Sequence, residues 1–105
     1  MSTPPQLSNE ERRAALEKAA ESRKVRAQFK ADVKQRKRSW LEAFNHENEA
    51  IRKMRVKELL LSLPGFGEVR ASNVMERAGI SLTRRVQGVG KSQYESLLTI
   101  LKEES

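Results

Sequence analysis

The chain has 105 residues, no cysteine, one histidine, and 21 Lys+Arg against 14 Asp+Glu, a net charge of +7. That length fits one small domain, and the absence of cysteine excludes disulfides, thiolate metal sites and a cysteine nucleophile. No apolar run is longer than Leu59-Leu60-Leu61, far short of the roughly 20 residues that span a bilayer, and the stretch from Met1 to Pro5 has neither the basic start nor the apolar core of a secretion signal.

A soluble, cytoplasmic, basic protein with an acidic partner is expected, nucleic acid first. Residues 1–7 are poorly patterned and expected to be flexible. Ser8, Asn9, Glu10 and Glu11 fit a capping box, with acidic groups at the positive end of a helix dipole. Alanines then run with Glu, Lys and Arg, so a helix is predicted from about 9 to 36. At 100° per residue its apolar face holds Ala15, Ser22, Val25, Phe29 and Val33. Only its C-terminal half should therefore pack firmly, leaving a basic helix that projects from the domain or lies across it. Ser39 to Glu42 repeats the capping-box pattern, predicting a second helix over 40–47 that buries Trp40, Leu41 and Phe44. Asn45 to Ala50 reads as a connection. A third helix carries Met54, Val56, Leu59, Leu60 and Leu63 and ends at Pro64-Gly65. Val69 to Ala78 make a fourth, closed by Gly79 as a left-handed cap. Ser81 to Val86 is a turn or short helix, and a last helix with Tyr94, Leu97, Leu98 and Leu101 follows Gly88-Val89-Gly90. No segment alternates as a strand does, so the fold class is all-α.

The charge is unevenly spread. Residues 11–38 hold 11 basic and 4 acidic groups, whereas residues 58–105 hold 6 of each. The basic excess thus lies in the first helix, and the second half of the chain is neutral.

Two segments in that second half resemble each other. Leu63-Pro64-Gly65-Phe66-Gly67-Glu68 leads to Val74-Met75, and Val86-Gln87-Gly88-Val89-Gly90-Lys91 leads to Leu97-Leu98. In each, an apolar residue between two glycines precedes a helix. Glycines permit a tight hairpin, by positive φ and by the lack of a side chain. The intervening Phe66 or Val89 plugs the turn into the core. The helix that follows presents free N–H groups, which hold a phosphate through backbone donors and the dipole. Such a contact reads no bases. Lys53, Arg55, Lys57, Arg70, Arg84, Arg85 and Lys91 flank the two hairpins.

These hairpins, the stretches from Lys53 to Leu60 and from Leu63 to Ala71, and the N-terminal residues 5–8 and 12–20 resemble the actinobacterial integration host factor family over nearly the whole chain. The resemblance implies a nucleoid-associated protein in which a long N-terminal helix lies over a helix–two-turns–helix module similar to that of a ribosomal small-subunit protein. It implies binding to double-stranded DNA with little sequence preference, altered DNA shape or topology, and help to phage integrase complexes. It carries hairpin contacts over to Pro64, Gly65, Gly67, Val69 and Arg70, and to Thr83, Arg84, Arg85, Gly88 and Gly90. Lys53, Lys57 and Lys91 join them as flanking cations. The basic helix is expected to supply a second DNA surface through Arg12, Arg13, Arg23, Lys24 and Arg26. Glu68 stands where the family commonly has Lys, and Gln87 where it has Arg, so both hairpins lose positive charge. The block Arg36 to Trp40 also departs from the family pattern and brings charge there.

The expected organisation is an N-terminus over 1–7, a basic helix over 8–38, and a compact DNA-binding domain over 39–105 with hairpins at 63–68 and 86–91. A monomer is expected when free, with no cofactor, metal or catalytic residue. His46 has no second histidine nearby and is expected at the surface; Trp40, Phe44 and Tyr94 are expected to pack. No carboxylate pair sits in an apolar setting that would tune an acid–base couple. A hairpin-containing repair glycosylase would need a second domain to hold a flipped base. Two other readings remain at this point: a structured-RNA or ribosome-associated protein using the same module, and an interaction module whose basic helix docks on an acidic protein.

Overall fold

The computed structural model of the chain describes residues 8–104. The expectation for residues 1–7 lies outside them. Helix α1 spans Asn9–Lys34. The Ser8 hydroxyl accepts from the Glu11 N–H at 3.1 Å, and the Glu11 carboxylate accepts from the Ser8 N–H at 3.3 Å. Two of the four amides that every helix start leaves open are satisfied this way. Residues 9–21 are exposed throughout, while Phe29 and Val33 are buried and Val25 is half-buried. The helix therefore docks by its second half, as the spacing predicts, and its first half projects. Overall extents of 57 × 33 × 24 Å reflect that projection. Lys30 reaches Glu58 at 2.7 Å and tethers the docked half. Both side chains are a third exposed, so the pair contributes at most about 1 kcal/mol.

α1 ends two residues before the predicted 36, in a Schellman motif. The Lys37 N–H donates to the Asp32 carbonyl at 2.8 Å and the Arg36 N–H to that of Val33 at 3.1 Å. The geometry puts Arg36 at φ 61, the one non-glycine with positive φ among the described residues. Glycine normally fills this place because a Cβ is strained there. Arg36→Gly should therefore stabilise the fold, by about 0.5–1 kcal/mol. Thermal melting checks it; a lower midpoint would mean that the Arg36 side chain contributes more than the backbone strain removes.

The second predicted helix forms, but as a 3-10 helix over Trp40–Asn45. A period of three places residues 40 and 43 on one side. Ala43 is accordingly fully buried, while Trp40, Leu41 and Phe44 are half-buried. Trp40 meets Phe44 edge-on at 5.8 Å, and Phe44 meets Tyr94 at 5.1 Å. The predicted connection over 45–50 contains the start of a short helix, α2 (Glu49–Arg52), capped by the Asn48 side chain. It delivers Ile51 to the core. His46 is half-buried rather than free at the surface: its ring stands edge-on to Phe29 at 5.5 Å, and its Nδ1 accepts from the Asn48 N–H.

α3 (Val56–Leu61), α4 (Glu68–Ala78) and α5 (Lys91–Glu104) complete the fold. Gly79, at φ 70, closes α4 in the left-handed conformation predicted for it. A 3-10 turn over Val86–Gly88 precedes α5. Ile51, Met54, Val56, Leu59, Leu60, Ala71, Met75 and Leu97 are fully buried and form the centre of the core. The fold is thus all-helical, a long basic helix on a small helical domain.

Candidate nucleic-acid interface

The two glycine hairpins share a design and differ in backbone. In the first, the Phe66 N–H closes on the Leu63 carbonyl at 3.1 Å, with Gly65 at φ 78. Only this hairpin uses positive φ. In the second, the Val89 N–H closes on Val86 at 3.2 Å through a 3-10 turn, and Gly88 is not left-handed. Its lack of a side chain serves a close approach instead: a Cβ on Gly88 would lie 3.2 Å from the Arg84 Cδ. Phe66 and Val89 are half-buried and pack against the core, as plugs should.

In each hairpin an arginine donates to the carbonyl of the first glycine. Arg70 reaches Gly65 at 3.4 Å and also lies over the Phe66 ring at 4.4 Å. Arg84 reaches Gly88 at 3.3 Å. One arginine follows its hairpin in sequence and the other precedes it, so the pattern is a property of the fold.

The strands of chain entering the two hairpins are joined. The Val56 N–H donates to the Arg84 carbonyl at 3.0 Å and the Val86 N–H to that of Met54 at 2.9 Å, which pairs Arg55 with Arg85. The Arg85 guanidinium donates to the Lys53 carbonyl at 3.1 Å. These bonds bring Lys53, Arg55, Arg84 and Arg85 together across 30 residues of sequence and fix one hairpin relative to the other.

Both hairpins open helices at glycine. Gly67 caps α4 with no side-chain acceptor, so the first-turn amides there are left for another acceptor. At α5 the Gln93 amide partly fills that role: its Oε1 accepts from the Gly90 N–H at 3.2 Å while its Nε2 donates to the Gly79 carbonyl at 2.8 Å. Gln93 thereby ties the end of α4 to the start of α5. Val69 and Thr83 are exposed beside the two openings, and Pro64 is half-buried.

The lysines divide. Lys91 is exposed, whereas Lys53 pairs with Glu49 at 2.7 Å and Lys57 with Glu68 at 2.9 Å. The hydrogen bond and charge of each lysine hold the partner carboxyl below its ordinary range. Arg12, Arg13, Arg23 and Lys24 are exposed on α1, and Arg26 is half-buried. Arg36 was not among the expected contacts, yet it lines one cleft with Trp40, Leu63, Pro64, Phe66 and Arg70. Its place next to the first hairpin follows from the turn after α1, which the sequence does not announce. Among the described residues, no His/Asp/Glu group could hold a metal, and no helix is long and apolar enough to cross a membrane.

The chain matches the S13-like H2TH domain family over residues 33–100. It is 50% identical over 99 residues to the integration host factor of Streptomyces coelicolor, covering 92% of each chain. It is 40% identical over 96 residues to that of Mycobacterium tuberculosis, covering 90% of this chain and 91% of the relative. A solved structure described as sIHF bound to an 8bp palindromic DNA superposes with a TM-score of 0.74 and 44% identity, covering 85% of this chain and 99% of that one.

Proposed function

Because the chain belongs to the integration host factor family and carries its S13-like H2TH domain, we propose that it binds double-stranded DNA through both hairpins and acts as an architectural protein of the nucleoid. The observation that carries this reading is the fused pair of hairpins. Each offers a helix start at glycine and an arginine, and the Arg55–Arg85 pairing joins the segments that enter them. That arrangement suits two phosphate groups of a duplex. Its guanidiniums and backbone amides suit the binding and shaping of DNA. The DNA-bound structural relative favours duplex DNA over structured RNA.

Hairpin contacts are assigned to Pro64, Gly65, Gly67, Val69, Arg70, Thr83, Arg84, Arg85, Gly88, Gly90 and Lys91, with Lys53 and Lys57 available once their carboxylate partners let go. Arg12, Arg13, Arg23, Lys24 and Arg26 supply a second surface. Arg13 and Phe29 are 16 residues apart on one helix, which separates the basic tip from the docked half by roughly 24 Å. A tip at that distance contacts DNA beyond the hairpin footprint, by bending one duplex or bridging to another. The protein is a monomer when free, works in the cytoplasm on the nucleoid, and assists phage integrase complexes by shaping their DNA.

A salt titration tests the reading. With about 5–7 phosphates neutralised, log affinity should fall against log salt with a slope of about −5 to −6, and equally for unrelated duplexes. A slope near −1, or strong preference for one short site, would exclude it.

A further inference from the structure

At the first hairpin, the feature least suited to DNA is Glu68. It is the first residue of α4, directly after the Gly67 cap, where the open amides and the positive end of the helix dipole lie. No side chain caps those amides. The Glu68 carboxylate is exposed and holds the Lys57 ammonium at 2.9 Å. One anion therefore stands at the helix start and neutralises the nearest lysine. The second hairpin carries no such group: Lys91 holds the matching first position of α5, has no partner among the described residues, and stands near Arg84 and Arg85 in the chain.

We propose that Glu68 is a built-in competitor for backbone phosphate, so that the two hairpins grip DNA unequally. The second hairpin is the anchor. The first engages fully only when a phosphate displaces the Glu68 carboxylate from Lys57. This inference rests on the DNA-binding reading above and names the residue pair that sets the strength of one half of that site. The low affinity of Glu68 for a proton fits the competition, because the carboxylate stays charged and must be displaced as an anion.

Binding of a mixed-sequence duplex to the full-length protein, across a salt series, tests it with Glu68→Gln and with the double variant Glu68→Gln, Lys57→Ala. Glu68→Gln should tighten binding about 5- to 10-fold near 0.1 M salt and steepen the log–log slope by about 1, because the released Lys57 neutralises one further phosphate. The double variant should lose both gains. Unchanged affinity and slope for Glu68→Gln overturns the inference while wild-type binding still supports the DNA-binding reading. A gain that survives in the double variant also overturns it, because the gain would then be a general effect of lost negative charge. Wild-type protein that fails to bind duplex overturns the reading and this inference together. Glu68 is exposed, so melting midpoints should stay within a few degrees and affinity remain the readout.

Discussion

Replacing Arg84 and Arg85 together by alanine should weaken duplex binding about 30- to 100-fold, and by the same factor for every sequence tried. The Arg84 guanidinium stands at the second hairpin on the Gly88 carbonyl, and the Arg85 guanidinium reaches across to the Lys53 carbonyl where the two entering segments pair. A charge-assisted hydrogen bond to phosphate contributes more than a neutral one, and two such bonds lost correspond to roughly 2 kcal/mol or more. The salt slope should become shallower by about 2, one for each phosphate no longer neutralised. Loss confined to one sequence would mean that the arginines read bases; unchanged affinity would remove them from the interface. Both side chains also brace the fold, through the carbonyls of Gly88 and Lys53. They are exposed, so these bonds compete with water and their loss should shift the melting midpoint little. Arg85→Lys separates the roles further. It keeps the charge and the salt slope but loses the fork that reaches Lys53.

Much of this interface can be read in the sequence because it is written locally and twice. Gly65 and Gly67 recur as Gly88 and Gly90, each pair before a helix, and a repeat of that kind needs no tertiary information. The capping boxes at Ser8/Glu11 and Ser39/Glu42 are equally local, and both form. What the sequence could not supply depends on where the chain returns. The pairing of Arg55 with Arg85 joins segments 30 residues apart, and with the Gln93 bond to Gly79 it fixes the hairpins relative to each other. Lys57 meets Glu68 across the first hairpin, which turns an apparent phosphate contact into half of an ion pair. Arg36 lies next to Pro64 because α1 ends in a left-handed turn with no glycine to signal it. The 3-10 winding over 40–45 escaped because the spacing of Trp40 and Phe44 suits an α-helix, whereas the buried residue is Ala43. His46 looked isolated because its partner, Phe29, belongs to a helix 17 residues earlier.

Phe29→Ala should release α1 from the domain. The helix is held mainly by Phe29 and Val33, with Val25 partly buried and Lys30 tethered to Glu58. Burial of three such apolar groups, one of them only in part, stabilises the docked state by about 4–7 kcal/mol. Truncating a buried phenylalanine costs about 3–5 kcal/mol, so little remains to hold the helix down. Phe29 and Val33 join one continuous core with Ile51, Leu59, Leu60, Met75 and Leu97, but most of its large buried side chains lie outside α1. Amide exchange should therefore show α1 losing protection while α4 and α5 keep theirs. Simultaneous loss in all three helices would mean that α1 and the domain fold as one unit. The functional result separates the two basic surfaces. Both hairpins stay assembled, so affinity for a short duplex should fall by no more than a few-fold. The basic tip loses its fixed position, so the change in shape or pairing of longer DNA should disappear at protein concentrations that still saturate binding. Retained bending or bridging by Phe29→Ala would show that the hairpins alone shape the duplex, and that the charge on α1 contributes attraction without geometry.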